Sequence, residues 1–253
     1  GYPLARLVGM LLLAYPVWLL GSYRVPFAPL TISLVFLGLV LVNGVLFYKQ
    51  RVSIMRELRE RWRYYLLVEG LFLAFFVAFL LVRLGNPDLW HPYKGGEKPM
   101  DFSYFNAVLK SSSFPPYDPW FAGGYINYYY WGFVLVGVPV KWLGIIPAVA
   151  YNLILPTLFA LLALAAFSVG WNLVESTRLR RVAENESQWR GLGLSGWAGL
   201  ASALAVTVLG NLGTIRMMWH GIQRLAPMNE PFESANFFTR IGWTVVGLSK
   251  LLS

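Results

Sequence analysis

The sequence predicts an all-α, polytopic bundle of transmembrane helices, and three observations carry that prediction. Hydrophobic residues make up 57% of the 253 and charged residues only 13%, where soluble domains average roughly a quarter charged. The apolar residues come in runs of about 20, the length a helix needs to cross a hydrocarbon core of roughly 30 Å. A helix closes its backbone hydrogen bonds within such a run, which lipid requires and an open strand cannot do.

The spans follow in order. Leu4 to Leu20, Leu30 to Phe47 and Tyr65 to Leu84 are apolar, and a Ser-Tyr-Arg-Val-Pro-Phe-Ala-Pro turn separates the first two. Between the second and third lies a short basic stretch, residues 49–63, with Lys49, Arg51, Arg56, Arg59, Arg61 and Arg63 against Glu57 and Glu60. Positive charge beside spans marks the cytoplasmic face, so this stretch reads as a cytoplasmic loop and residues 85–127 as an extracytoplasmic one. Tyr128 to Leu143, Ala148 to Val169 and Trp197 to Leu212 follow as further spans. A last run, Ile241 to Leu252, is short for a crossing. The expected architecture is six or seven spans in three parts: 1–84 with three helices, 85–127 as the outward loop with an amphipathic helix, and 128–253 with the remaining helices. Arg178, Arg180, Arg181 and Arg190, opposed by Glu175, Glu184 and Glu186, run against this orientation but are the weaker charge signal. The chain begins beside one span and stops inside another, so it reads as part of something longer.

Composition also excludes chemistry. The chain has no Cys, hence no disulfide, thiolate nucleophile or Cys-ligated metal, and His91 and His220 are too few for a multi-histidine centre. Any metal would take oxygen ligands. The net charge of +9 is topological rather than a nucleic-acid footprint. Ser195, Gly199 and Ala203 place a small residue at every fourth position, which lets another helix approach closely.

Chemistry concentrates in PMDFSYFNAVLKSSSFPPYDPWFAGGYINYYYW, residues 99–131. Pro99 suits the start of a helix, and Phe102, Phe105, Leu109 and Ser112 recur at helical steps, so Pro99 to Ser112 is expected to form an amphipathic helix at the membrane surface. Asp101 then lies in the first turn, where the helix dipole favours an ionised carboxylate, fit for a base or cation ligand or simply for stabilising the turn. Glu97 precedes it by four residues and Asp118 follows the Pro115-Pro116-Tyr117 turn. If the three converge, they form either a hard-cation site for Mg²⁺, Mn²⁺ or Ca²⁺ or a metal-free acid/base pair. Tyr128, Tyr129, Tyr130 and Trp131 mark an interfacial aromatic belt. Successive helical residues point about 100° apart, so at least one ring should face the carboxylates. Gly123 and Gly124 permit a tight turn or a close ligand. Glu69, inside a span, is a functional candidate by default or a partner of Arg63. Arg216, Arg224 and Arg240 suit an anionic lipid phosphate or serve as ordinary flanking charge.

The segments Glu97-Lys98-Pro99-Met100-Asp101-Phe102, Phe114 to Gly124 and Ile126-Asn127-Tyr128-Tyr129-Tyr130-Trp131-Gly132 resemble the "YYY" family of large hydrophobic archaeal and Chloroflexus-type membrane proteins. The likeness continues through Pro147 to Leu153 and Gly210-Asn211-Leu212. The family's layout is similar to that of C-type glycosyltransferases, which take sugar from a polyprenyl-phosphate carrier and carry an acid in the first outward loop as base or metal partner. The resemblance implies Asp101 in that role, assisted by Glu97 and Asp118, with Lys98, Asn127 and Tyr128 to Trp131 binding the sugar or prenyl chain. It also implies a much longer protein with a later acid- and histidine-containing motif that this chain lacks. The rival expectation is a non-catalytic subunit held by membrane lipids and other membrane subunits, in an energy-converting assembly for example. A transporter ranks third, since little besides Glu69 suggests a midplane charge.

Overall fold

The computed structural model describes residues 1–89, 96–183, 192–227 and 234–252. Among them are eight α-helices and no β-strand: α1 (Ala5–Ser22), α2 (Pro29–Gly85), α3 (Lys98–Lys110), α4 (Tyr130–Leu143), α5 (Pro147–Ala183), α6 (Leu192–Thr207), α7 (Leu212–Gln223) and α8 (Phe237–Leu252). The all-α membrane architecture is therefore as the sequence predicts. Three helices are long and apolar enough to cross a membrane, Tyr2–Ser22, Pro29–Gly85 and Pro147–Thr177, while Tyr130–Leu143 and Gly193–Thr207 are apolar but shorter.

The partition into spans differs from the prediction in one place above all. The second and third predicted spans are arms of one helix, α2, and the basic stretch between them is helical rather than a loop. A single residue, Arg61, leaves helical geometry there (φ −115°, ψ 19°). Val17 and Ile32 share one buried cluster, and Arg6 pairs with Glu69. Along α1, residues 6 and 17 are only about 16 Å apart, whereas 32 and 69 on a straight helix would be about 55 Å apart. The two arms must therefore bend sharply toward each other, and the break at Arg61 supplies the bend. No proline or glycine stands there.

The second arm of α2 runs antiparallel to α5, as ring pairs Tyr64–Trp171 at 5.0 Å and Phe79–Phe159 at 4.7 Å show. Val68, Ala163, Leu164, Phe167 and Ala203 are the buried centre of this three-helix contact. The small residues of α6 do allow close approach, and the helix that approaches is α5 of the same chain. A Cβ on Gly199 would stand 2.7 Å from the Phe167 ring, and one on Gly170 would stand 2.7 Å from the Ala198 carbonyl.

At the other end, α4 packs on α1 and the first arm of α2. Val134 and Val138 are buried with Ala14, Val17 and Ile32, and Trp142 lies 4.6 Å from Phe36. Helix α3 lays Phe105 and Val108 onto α4 and α5; Gly137 on α4 lets Val108 come close, at 3.4 Å from its Cβ position. Helices α7 and α8 pair through the buried Gln223, whose Nε2 donates to the Arg240 carbonyl at 2.9 Å and to Thr244 Oγ1 at 3.0 Å. The sequence did not signal α7. His91, Glu184, Glu186 and Arg190 lie outside the described residues, as do the side chains of Arg178, Arg180 and Arg181.

Candidate functional site

The predicted amphipathic helix is α3, starting one residue before Pro99 and ending two before Ser112. Glu97 is its N-cap position and Asp101 sits in its first turn, where the Asp101 N–H donates to the Glu97 carbonyl at 2.9 Å. One helical turn thus sets two carboxylates on one side of the loop. Burial first, and the neighbouring Glu97 second, push the Asp101 carboxyl above its usual range. This runs opposite to the firmly ionised group that the helix dipole alone suggests. Partial removal from water and a like charge both disfavour ionisation.

Asp118 does not join the pair. Its Oδ1 accepts from the Trp120 N–H at 2.8 Å and its own N–H donates to the Gly124 carbonyl at 3.0 Å, so it closes a turn that needs Gly123 at φ +78°. The glycine pair serves that turn. Among the described residues no group of three or more His, Asp or Glu gathers at one point. Two adjacent carboxylates still suit Mg²⁺, which commonly takes one or two protein carboxylates and completes its shell with water and substrate phosphate.

The tyrosine run divides. Tyr130 accepts a hydrogen bond from Trp18 Nε1 at 3.0 Å, and Trp131 packs edge-on against Trp18 and Tyr15; both face α1. Tyr128 and Tyr129 are exposed, with ring centroids 3.9 Å apart. A hydrogen bond with Tyr128 is the largest influence raising the Tyr129 phenol's pKa, and the charges of Glu97 and Asp101 add to it. Tyr129 thus lies within electrostatic reach of the carboxylates. Its backbone is left-handed, φ +64°, an arrangement that costs an L-residue about 1–2 kcal/mol. Asn127 is exposed, and Lys98 opens α3 half-buried.

Two residues the sequence reading passed over complete this region. Arg83, at the end of α2, is only 7% exposed, and its Nε donates to Asn152 Oδ1 at 3.0 Å while Nη2 bonds the same oxygen. Asn152 in turn donates to the Ala148 carbonyl at 3.0 Å and the Pro87 carbonyl at 3.3 Å. The ring of Tyr151, beside Asn152 in sequence, meets Phe102 of α3 at 5.8 Å. In the sequence Arg83 is one cation near the end of an apolar run. Only its burial distinguishes it, and burial depends on α5.

The other singled-out charges lie elsewhere in the fold. Glu69 accepts from Tyr2 OH at 2.6 Å and pairs with Arg6, not Arg63. Arg216 and Arg224 line a shallow groove on α7 with His220, and Arg240 Nε donates to the Ala235 carbonyl at 3.2 Å.

No curated protein and no solved structure matches the chain. A family model described as "Uncharacterized membrane protein (DUF2298)" matches residues 12–245. That stretch runs from within α1 to within α8 and takes in the carboxylate pair, Tyr129 and Arg83, and on this match the chain belongs to the DUF2298 family of membrane proteins.

Proposed function

We propose that this chain is the N-terminal membrane part of a glycosyltransferase-like protein that binds a lipid-phosphate sugar at its outward loop. The observation that carries the reading is the Glu97–Asp101 pair opening α3, a helix whose Phe102 meets Tyr151 of α5 at 5.8 Å, next in sequence to the Asn152 that holds the buried cation Arg83. In this reaction Asp101 takes the proton of an acceptor hydroxyl as its oxygen bonds the anomeric carbon. The bond from that carbon to the carrier phosphate breaks, and the phosphate leaves with the electron pair. A carboxylate with a raised pKa is a stronger base than an ordinary one. Positive charge from Arg83 would stabilise the charge that develops on the departing phosphate; in the alternative arrangement Glu97 and Asp101 would hold a divalent cation that supplies it, with Asp101 then a ligand rather than the base. Tyr128 and Tyr129 offer aromatic faces to the sugar or prenyl chain. The site faces outward if residues 49–63, now the charged elbow of α2, lie on the cytoplasmic side of the cell membrane.

The test is sugar transfer from a polyprenyl-phosphate donor by the full-length protein in proteoliposomes. Asp101→Asn should lower the rate by about 10²-fold or more, the usual worth of a positioned base; an unchanged rate rejects the reading. A second reading, a non-catalytic subunit of a larger membrane assembly, is favoured by the inward packing of Tyr130 and Trp131 and the turn-closing role of Asp118. Native mass spectrometry separates the two: a bound polyprenyl phosphate supports the first, and a defined complex with other subunits and no such lipid supports the second.

A further inference from the structure

At the far end of α3 from the carboxylates, the turn between α1 and α2 meets the loop that follows Lys110. Three hydrogen bonds frame the meeting: the Phe27 N–H donates to the Ser112 carbonyl at 2.7 Å, the Phe114 N–H to the Gly21 carbonyl at 3.1 Å, and Lys141 Nζ to the Ser111 carbonyl at 2.7 Å. Behind them Phe27 and Phe114 pack with centroids 4.9 Å apart, and Gly21 is needed because a Cβ there would stand 2.6 Å from the Phe114 ring. This rigid frame opens on a cavity of about 610 Å³, within the range of small-molecule sites.

The lining is chemically one-sided. Arg24, Lys110, Ser112, Ser113, Tyr117 and Tyr125 contribute to it, and no carboxylate does. Among the described residues neither Arg24 nor Lys110 stands in an ion pair, so both bring uncompensated charge. The backbone carbonyls of Ser111 and Ser112 are taken by the frame, which leaves the hydroxyls of Ser112 and Ser113 free to meet a ligand. Tyr117 and Tyr125 stack at 4.7 Å and 20° as a wall. Arg24 is held at φ +68°, a strained geometry in which glycine would be at ease. The chain keeps a cation there nonetheless.

We propose that this cavity binds a phosphate-bearing, hydroxylated molecule, with phosphate on Arg24 and Lys110 and hydroxyls on the serines and the tyrosine wall. A guanidinium matches phosphate in a forked pair, and an ammonium adds a point charge. The site is distinct from the carboxylate pair, because α3 sets Lys110 about 14 Å along its axis from Asp101 and about 20 Å from Glu97. It stands whether or not Asp101 is catalytic. The same chemistry comes as a lipid headgroup or as a soluble sugar or polyol phosphate.

The experiment is native mass spectrometry of the intact protein from phosphatidylcholine nanodiscs, in one series doped with phosphatidylglycerol and in another titrated with glycerol 3-phosphate. Wild type should retain one phosphate-bearing molecule per chain, in the first series if the source is lipid and in the second if it is soluble. The double variant Arg24→Gln, Lys110→Gln should retain it at least about tenfold less well, as expected for losing two charge-assisted contacts. Lys49→Gln, which removes an exposed cation on α2, should retain it as wild type does. Ser112→Ala with Ser113→Ala leaves charge and frame intact and should also weaken retention. No retention in either series, or equal retention by wild type and both double variants, overturns the proposal.

Discussion

Arg83 on α2 and Asn152 on α5 form a buried bridge in which one amide oxygen receives two guanidinium N–H groups. Replacing Asn152 by leucine leaves a nearly buried cation without its acceptor. Stability in detergent should fall by about 1–3 kcal/mol, the cost of stranding a buried charged donor. Adding Arg83→Met should recover most of that loss, because the penalty lies in the unpaired charge rather than in the absent bond. Unfolding by titrated denaturing detergent measures both.

Asp101 makes stability depend on pH in a defined direction. Its carboxyl titrates above the ordinary aspartate range in the folded protein, through burial and Glu97. The fold therefore favours the protonated form. That contribution is complete below the unfolded value and is lost as pH rises through the folded one. Thermal midpoints recorded between about pH 4 and 7 should show wild type losing ground to Asp101→Asn as pH rises, with the gap levelling off once Asp101 is ionised. A constant gap would place Asp101 in ordinary solvent.

The left-handed backbone of Tyr129 separates strain from use. Tyr129→Gly removes an exposed ring and a conformational cost of about 1–2 kcal/mol, offset in part by the roughly 0.5–1 kcal/mol of extra chain entropy that glycine loses. Its thermal midpoint should equal or exceed that of wild type, while binding of a lipid-phosphate sugar weakens. A marked fall in midpoint would make the ring a packing element.

Two glycines should respond oppositely to alanine. Gly199→Ala places a methyl 2.7 Å from the buried Phe167 ring and 3.0 Å from its carbonyl oxygen, which forces α5 and α6 apart at about 1–3 kcal/mol. Gly38→Ala meets nothing within 4 Å and should gain the better helix propensity of alanine, about 1 kcal/mol at most. Denaturation of the two variants side by side checks the packing.

The fold class was legible because lipid allows few solutions: runs of about 20 apolar residues become helices. The extent of α3 was legible from Pro99 and the spacing of Phe102, Phe105 and Leu109, since an amphipathic period survives without tertiary context. The course of α2 was not. A basic stretch between two apolar runs reads equally as a turn or as exposed helix, and what decides is the packing of both arms on α1, which lies far away in sequence. The site divided in the same way. Glu97 and Asp101 are one helical turn apart, so local geometry joins them. Asp118, Tyr130 and Trp131 answered to partners elsewhere, and Arg83 and Arg24 acquire their meaning only from α5 and from the loop after α3.

The bend in α2 makes α1 a strut within a bracket. Its lower end is pinned to one arm by Arg6–Glu69 and its upper end to the other by the Val17–Ile32 contact, so the length of α1 sets the opening of the bracket. The second arm ends at Gly85, two residues past Arg83. Each helical turn removed from α1 would draw the arms about 5 Å closer and shift Arg83, together with its partner Asn152, relative to the first arm. The eighteen residues of α1, remote from the carboxylates, thereby gauge where the buried cation stands.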